Sequence, residues 1–540
     1  MAARQYSLLL TDASFPFRLD LAGESYIADE IPVKSSPPVV PKVLYLNNVL
    51  PATQGYDSLD TRIVAPAVEA STFDRVYEFF GDEHGLRHLF SPAYGKGYVL
   101  RDGDAAWTAA LDLPGSPEFS LAQLRNRTYF FFRGNAMYRY DETGREFFPI
   151  ALEGLLFSGL VGITAATNYF IGFDESTIYY TSRIEVDGSV DFTPTLGVAG
   201  SLQVLAVGGK ILHCLPYANG FIVYTQTNAI MASYSGNPNL PFTFREIPGS
   251  SGVLQESNVA WNNNTGVHFA WTRSGMQQVE PNRASNMLPS LLDYIRQRTT
   301  EVLNSTTGAL EYTESEEQFV VRLTLVSHRF LCISYGAQTP DPQQQVFSDC
   351  LVYDVELQRW GRFFIPHVSI FSYTFTGGFE LLSYQALLDT AVTYDDLEFT
   401  RYNALTTEDP GARSLGYRIG ALGLDGQITV FERSNMTQVG SAAGEILLGK
   451  LSAFVGNATE IQEIRTQTST MEQHKLFTYL FGDSLQTPTY VKDCVKANYP
   501  QSLGDERFLV RSTGKNHALY FKGRFHLTDV DVWMLAEGDR

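Results

Sequence analysis

The sequence predicts a mainly β protein whose body is a β-propeller, built from hairpin repeats of about 40–50 residues. The first observation is one hairpin. A run of aromatic and β-branched residues that starts at Gly220 meets a short turn at Thr227 and Asn228, and a second apolar strand extends from Ala229 to Met231. Aromatic and β-branched residues on both sides of a tight turn are typical of two antiparallel strands.

The second observation is that this hairpin pattern recurs along the chain. Related stretches occupy residues 128–140, 168–181 and 266–279. When they are aligned on the residue after the turn, Ala136, Thr177, Ala229 and Gly275 come into register, at intervals of 41, 52 and 46 residues. Four-stranded sheets with this period stack around an axis, because one such sheet cannot bury both of its faces alone. The alternative is a large β-sandwich, in which turns recur every 8–12 residues or so without a long period.

The third observation is the composition. Of 540 residues, 44% are hydrophobic and 13% aromatic, with 36 Phe and 29 Tyr against only 8 Met. Aromatic residues favour strands over helical bundles. The 44 Gly and 24 Pro are spread along the chain, as many turns would require.

The charge balance is acidic, with a formal net charge of −19 and no basic block. A nucleic-acid-binding surface needs clustered Lys and Arg, so the balance argues against one. The ordinary consequence of an acidic surface is solubility.

Cysteines and apolar runs predict the compartment. Cys214, Cys332, Cys350 and Cys494 lie far apart and form no CxxC pair, which disfavours a zinc site and a disulfide framework. We expect Cys332 and Cys350 to be buried free thiols. The first ten residues are too short an apolar run for a signal peptide, and no segment is long enough to span a membrane. The expectation is a soluble protein made in a reducing cytoplasm.

Three regions are predicted in chain order. Residues 1–70 are interpreted as an extended N-terminal arm and residues 71–435 as the propeller body. Residues 436–540, where the hairpin period ends, are interpreted as a smaller β-rich platform region. Asp102-Gly103 and Asp425-Gly426 predict further hairpins in the body. One helix is predicted near 288–299, with Pro289 in its first turn and Leu288, Leu291, Leu292 and Ile295 on one side.

No motif predicts a catalytic, cofactor-binding or metal-binding residue, and we expect the protein not to be an enzyme and to need no cofactor. The nucleophile elbow, the phosphate-binding loop and the His-Glu-x-x-His motif are missing from the sequence. His84 and His88 fit a hairpin better than a metal pair, because Gly85 lies between them. Residues 101–107 resemble the Asp-box of sialidase propellers only once and without its leading hydroxyl residue. Asp395 and Asp396 are interpreted as solvated loop carboxylates rather than a general acid and base.

The order of these features resembles one family. The hairpin at 220–233, the polar stretch 235–244, the second hairpin that ends at Met276 and the helix near Pro289 follow in its order. The ending resembles it too, through residues 511–524 and 527–533, with 47–55 as an N-terminal counterpart. The family is that of the tail nozzle proteins of short-tailed bacteriophages, also called tail tubular protein B or packaged-DNA stabilisation protein.

The resemblance implies a structural virion protein without catalytic residues. Six copies would form a homo-hexameric ring in the viral tail, continuing the channel of the head–tail connector beneath the portal and its adaptor ring. The ring would retain the packaged genome and let the DNA pass at infection. An acidic channel wall would then repel phosphates, so that DNA slides without binding.

Two other functions stay open at this point. One is a propeller used as a binding platform, and the other is a carbohydrate-active propeller enzyme, which would need convergent carboxylates in an axial pocket. If the protein is a nozzle, the loop at 336–348 and the N-terminal arm are the candidate contacts with the adaptor, tail fibres or needle.

Overall fold

The chain folds mainly into antiparallel strands, and most of its sheets are meanders of four. The computed structural model describes residues 4–9, 42–52, 55–373, 419–433 and 444–536, apart from short gaps within the longer ranges. Four strands precede the first meander: β1 (Arg4–Leu9), β2 (Lys42–Asn47), β3 (Val49–Ala52) and β4 (Gly55–Ala65).

Seven units of four antiparallel strands form the propeller, and we name them blades 1 to 7. Blades 1 to 5 are separate sheets, whereas blades 6 and 7 belong to one larger sheet. Blade 1 contains β5 (Tyr77–Phe80), β6 (Arg87–Ala93), β7 (Lys96–Arg101) and β8 (Thr108–Asp112). Blade 2 contains β9 (Phe119–Leu124), β10 (Arg127–Phe132), β11 (Ala136–Asp141) and β12 (Glu146–Ile150). A short parallel pair joins β13 (Leu152–Glu153), which precedes blade 3 in the chain, with β17 (Val190–Asp191), which lies between the third and fourth strands of that blade. Blade 3 contains β14 (Gly162–Ala166), β15 (Tyr169–Phe173), β16 (Thr177–Thr181) and β18 (Ala199–Gln203).

The next four blades repeat the arrangement. Blade 4 contains β19 (Ile211–Tyr217), β20 (Gly220–Thr225), β21 (Ala229–Asn237) and β22 (Leu240–Glu246). Blade 5 contains β23 (Val259–Trp261), β24 (His268–Thr272), β25 (Gly275–Glu280) and β26 (Arg283–Asn286), and a separate hairpin follows, β27 (Thr300–Leu303) and β28 (Leu310–Thr313). Blade 6 contains β29 (Phe319–Val326), β30 (Phe330–Ala337), β31 (Phe347–Asp354) and β32 (Arg359–His367). Blade 7 contains β33 (Ser369–Ser372), β34 (Ile419–Leu422), β35 (Ile428–Arg433) and, from the other end of the chain, β4.

The four hairpins predicted from the sequence are confirmed as the second and third strands of blades 2 to 5. Each of the aligned residues, Ala136, Thr177, Ala229 and Gly275, begins the third strand of its blade. In blade 4 the turn is held by Thr225, whose N–H donates to the Asn228 carbonyl (2.9 Å) and whose Oγ1 accepts from the Asn228 N–H (3.1 Å). The repeat period is therefore the length of one blade.

Shared apolar cores close the blades into a ring. Alternate side chains of a strand point to opposite faces, so each blade contributes to one core on either side. In β10, for example, Phe130 packs against blade 1 and Phe131 against blade 3. One pair of residues represents each of the seven junctions: Phe90 and Phe130, Phe131 and Phe170, Phe173 and Phe221, Tyr224 and Val259, Trp271 and Leu323, Phe363 and Phe431, and Val430 and Trp107. The last pair joins blade 7 to blade 1, so the fold is a closed seven-bladed β-propeller.

Blade 7 is assembled from two distant parts of the chain. Its outer strand is β4, whose residues 59–65 pair antiparallel with residues 428–433 of β35. The turn between β34 and β35 uses Gly426 at φ +82°, as the predicted Asp425-Gly426 hairpin requires. The Gly426 carbonyl accepts a hydrogen bond of 2.8 Å from Trp107 Nε1 of blade 1. Closure therefore combines strand pairing with a contact between the last and first blades.

A β-sandwich continues from the propeller. One of its sheets contains β1, β37 (Thr459–Thr468), β40 (Val495–Lys496), β41 (Asp505–Gly514) and β43 (His526–Ala536). The other contains β2, β36 (Gly444–Leu451), β38 (His474–Phe481), β39 (Pro488–Asp493) and β42 (Asn516–Gly523). β3 pairs with both β4 and β32, and one buried cluster runs from Phe269 of blade 5 through Leu331 of blade 6 to Phe521 and Val532 of the sandwich. Propeller and sandwich therefore share a core.

The sequence predicts an extended arm in residues 1–70 that wraps the body or a neighbour. The described strands of this region pair within the propeller and the sandwich, because their apolar residues complete sheets made by the C-terminal half. Of the predicted helix near 288–299, Leu291, Leu292 and Ile295 are helical, with Leu291 and Ile295 buried, and the other residues lie outside the described part. The Asp102-Gly103 turn, His84 and the Asp395-Asp396 pair also lie outside it.

Candidate functional site

The first strands of the blades line the propeller axis. Contacts join β9 with β14, β14 with β19, and β23 with β29. Consecutive blades approach one another most closely near the axis, so these strands are the inner ones. The residues just before them, or at their start, therefore converge on one end of the axial opening.

An ion pair crosses this opening. Arg75, just before β5, places its Nη1 3.4 Å from Oε1 of Glu256, which lies in a 3-10 helix (Glu256–Asn258) before β23. These residues belong to blades 1 and 5, which are not neighbours in the ring. Their side chains are 19% and 32% exposed, so solvent reaches the pair. The axial opening is therefore narrow at this level.

A second ion pair lies beside the first. Arg322 of β29 places Nη2 3.4 Å from Oδ1 of Asp74, and its Nη1 donates to the Val368 carbonyl. We call Asp74, Arg75, Glu256 and Arg322 the axial cluster. It joins blades 1, 5 and 6 and has no net formal charge.

Electrostatics within the axial cluster follow from burial and proximity. Burial raises the pKa of Glu256 above its ordinary value, and the neighbouring Arg75 guanidinium opposes that shift. Burial lowers the pKa of His213, on β19 of blade 4, to about 3, and the positive charge of Arg75 adds to the effect. Burial also raises the pKa of Tyr77. The positive charge of Arg75 thus affects the pKa of groups from several blades.

The axial cluster bears on the enzyme alternative. Asp74 and Glu256 are the convergent carboxylates that a glycosidase would need, but each lies within 3.4 Å of a guanidinium. Each carboxylate is thus paired with an arginine from another blade, and the two ion pairs link blades 1, 5 and 6 to one another.

The described residues that the sequence analysis singled out are buried or hydrogen-bonded within the blades. His88 is buried in β6 against the rings of Phe79 and Tyr140, at centroid distances of 5.3 and 5.7 Å. Arg101, at the start of the Asp-box-like stretch, donates from Nε to Tyr140 Oη at 2.8 Å. Cys332 and Cys350 are buried free thiols, as predicted. Among the described residues, no group of three His, Cys, Asp or Glu side chains is placed to hold a metal ion.

A concave site of about 450 Å³ lies between blades 6 and 7. Its lining is mixed, with Ile365, Ala421 and Leu424 beside Asp425 and Thr429. Val346 also lines it, and belongs to the loop at 336–348 predicted to contact partners. Sequence reasoning could not locate this site or the axial cluster, because each is formed by residues from different blades that lie far apart in the sequence. Within the described residues, no helix is both long and apolar enough to cross a membrane.

Comparisons with known proteins find similarity in structure only. No protein-family model and no curated protein sequence matches the chain. Among solved structures, YCF48 from Cyanidioschyzon merolae is 14% identical, with a TM-score of 0.38 over 69% of this chain and 98% of that one. BamB from Moraxella catarrhalis is 6% identical, with a TM-score of 0.34 over 74% and 100% of the two chains. A chain of the Mitotic Checkpoint Complex is 7% identical, with a TM-score of 0.35 over 73% and 100%. These scores add no argument about function, and the assignment of the chain as a β-propeller protein stands on its own sheet order and closed ring of cores.

Proposed function

We propose that the protein is a structural virion component, a subunit of a nozzle-like ring that surrounds the DNA-exit channel of a short phage tail. The observation that carries the proposal is where the resembling residues lie. Residues 511–524 and 527–533 fall in β41, β42 and β43, which are central strands of the sandwich. The hairpin at 220–233 and the strand that begins at Gly275 belong to blades 4 and 5. The resembling residues thus lie in both the propeller and the sandwich, which share one core.

The axial cluster constrains how such a ring would carry DNA. The Arg75–Glu256 pair spans the propeller axis with only 3.4 Å between its atoms. The major groove of B-DNA alone is about 12 Å wide, so a duplex cannot pass through a propeller closed at this level. In a nozzle, the DNA channel therefore lies between copies of the chain, around an axis that several subunits share. The net charge of −19 favours weak contact between that wall and phosphates.

A second candidate function is a propeller that serves as a binding platform. The site between blades 6 and 7 favours it, because its volume of about 450 Å³ falls within the usual range for ligand pockets. A platform of this kind can act as a monomer, whereas the nozzle requires a closed ring.

Electron microscopy of the protein in its native assembly tests the proposal. We expect class averages with six-fold symmetry around an open channel, in line with adaptor and portal rings above it. A channel wall formed mainly by Asp, Glu and neutral side chains would support the sliding of DNA. A lone disc with an occupied pocket between blades 6 and 7 would overturn the nozzle and support the binding platform.

A further inference from the structure

One sector of the propeller, defined by the chain segment from Phe192 to Phe244, is almost free of charged residues. From Phe192 to Phe244, Lys210 is the only Lys, Arg, Asp or Glu residue, although 18% of the whole chain is charged. Lys210 is itself neutralised, since its Nζ lies 2.7 Å from Glu175. The segment includes the outer strand of blade 3 and nearly all of blade 4. A sector without charge stands out on a chain whose net charge is −19.

Large apolar side chains are exposed in this sector. Leu196, in the turn before β18, is 81% exposed, and Tyr234 and Leu240, at the projecting end of the β21–β22 hairpin, are 45% and 43% exposed. We call these three residues the hairpin patch. Leu196 has the highest exposure of the large apolar residues that the structure describes. Exposed apolar residues grouped together mark interaction sites more often than single ones do.

Contacts through Tyr169 connect the turn that carries Leu196 with Tyr234 of the hairpin. The Tyr169 hydroxyl donates to the carbonyl of Gly197, the residue after Leu196, at 3.4 Å. The Tyr169 ring lies 6.1 Å from the ring of Tyr234, measured between centroids. Leu240 pairs across the same hairpin with Asn237. The patch thus extends across the junction of blades 3 and 4.

From these observations we infer that the hairpin patch is the surface through which one copy of this chain binds the next copy. The charge distribution favours a second copy of the chain as the partner. A basic partner would be drawn to the acidic surface elsewhere, whereas two copies that each carry −19 repel one another wherever charged surfaces meet. Copies can approach closely only through uncharged surface, and the cores of protein interfaces are depleted in charge and enriched in aromatic residues. In a closed ring the patch meets a different surface of the neighbouring copy.

This inference rests on the proposed function, because a ring needs a contact between copies. Site-specific photo-crosslinking tests it in the native assembly. Leu196 is replaced by p-benzoyl-L-phenylalanine, the assembly is irradiated, and the adducts are identified by mass spectrometry. The matched control carries the same replacement at Leu254, which is 53% exposed but lies outside the patch. We expect adducts of two copies of the 60.2 kDa chain at position 196, about tenfold above the control.

Adducts between position 196 and a different protein, or a yield equal to the control, would overturn the inference. A Tyr234→Ser and Leu240→Ser double variant gives a second measurement. It should keep the circular dichroism spectrum of the unchanged protein, because more than two fifths of each side chain is exposed, and should fail to form rings in negative-stain images. Intact rings of that variant would contradict the inference and leave the proposed function standing. Adducts between copies in an assembly without six-fold symmetry would support the inference and contradict the proposed function.

Discussion

At the scale of single residues, two buried polar groups show how partners from neighbouring strands accommodate them. Asp349 of β31 is fully buried, and it accepts hydrogen bonds from Arg362 Nε at 2.8 Å and from the Tyr335 hydroxyl at 2.7 Å. Burying a charge costs free energy unless it is paired and hydrogen-bonded, and here both conditions are met. The neutral side chain of His268 is likewise buried with hydrogen-bond partners. Its ring nitrogens contact the Tyr224 hydroxyl at 3.0 Å and the Pro216 carbonyl at 3.1 Å.

The buried His268 predicts a dependence of stability on pH. Burial lowers its pKa to about 3, whereas an unfolded chain has the ordinary value of about 6.5. Between these values the unfolded chain binds a proton that the folded chain does not, so this residue's contribution to stability is lost as pH falls below about 6.5. The slope should be about half of 1.4 kcal/mol per pH unit at pH 6.5 and approach about 1.4 near pH 5. A His268→Gln variant should show a shallower slope between pH 6.5 and 5, measured by urea unfolding. An unchanged slope would show that His268 does not titrate on unfolding.

At the scale of elements, close packing inside one hairpin limits which residues it accepts. Gly220 begins β20, and a Cβ added there would lie 1.9 Å from the Ala232 carbonyl oxygen of β21. Real Cβ atoms do not approach an oxygen so closely, and the oxygen belongs to the backbone, so the two strands would have to separate. Glycine is therefore required by the approach of the paired strand.

We expect Gly220→Ala to destabilise the protein by about 3 kcal/mol, because it forces a backbone shift in a packed blade. Gly159→Ala is the matched control, since a Cβ at Gly159 meets nothing within 4 Å. Urea unfolding of both variants is the measurement. Equal midpoints for the two would contradict the explanation.

The elements also show how far the sequence could predict the fold. Hairpins in blades 2 to 5 were predictable, because each depends on local turn chemistry and on runs of aromatic and β-branched residues. The membership of β4 in blade 7 was not, since pairing of Leu59 with Arg433 depends on residues almost the whole propeller apart. The number of blades and the axial cluster could not be predicted from the sequence for the same reason. Arg75 and Glu256 meet only because the ring closes, and neither stretch carries a motif.

At the scale of the whole molecule, the shared core predicts that propeller and sandwich unfold together. Phe521 of β42 is fully buried in the cluster that also contains Leu331 of blade 6. Phe521→Ala should cost about 3–5 kcal/mol, as truncation of a buried aromatic residue usually does. Differential scanning calorimetry should show one transition that moves to lower temperature. Leu509→Ala is the control, because Leu509 lies in the sandwich but is 52% exposed. Two transitions, of which only one moves, would mean that the two parts unfold separately.

The way in which β4 completes blade 7 also has a consequence for biosynthesis. The ribosome makes residues 55–65 early, but their partner strand, Ile428–Arg433, emerges only after six blades have been translated. The sandwich likewise needs β1 and β2 together with strands made last. Domains of many proteins fold from the N-terminus during synthesis, at about 5–20 residues per second. Here the early strands wait at least about 20 seconds with unpaired edges, at the fastest of these rates. We expect a nascent chain stalled before residue 428 to be bound by chaperones, and one released after residue 536 to be able to close its ring.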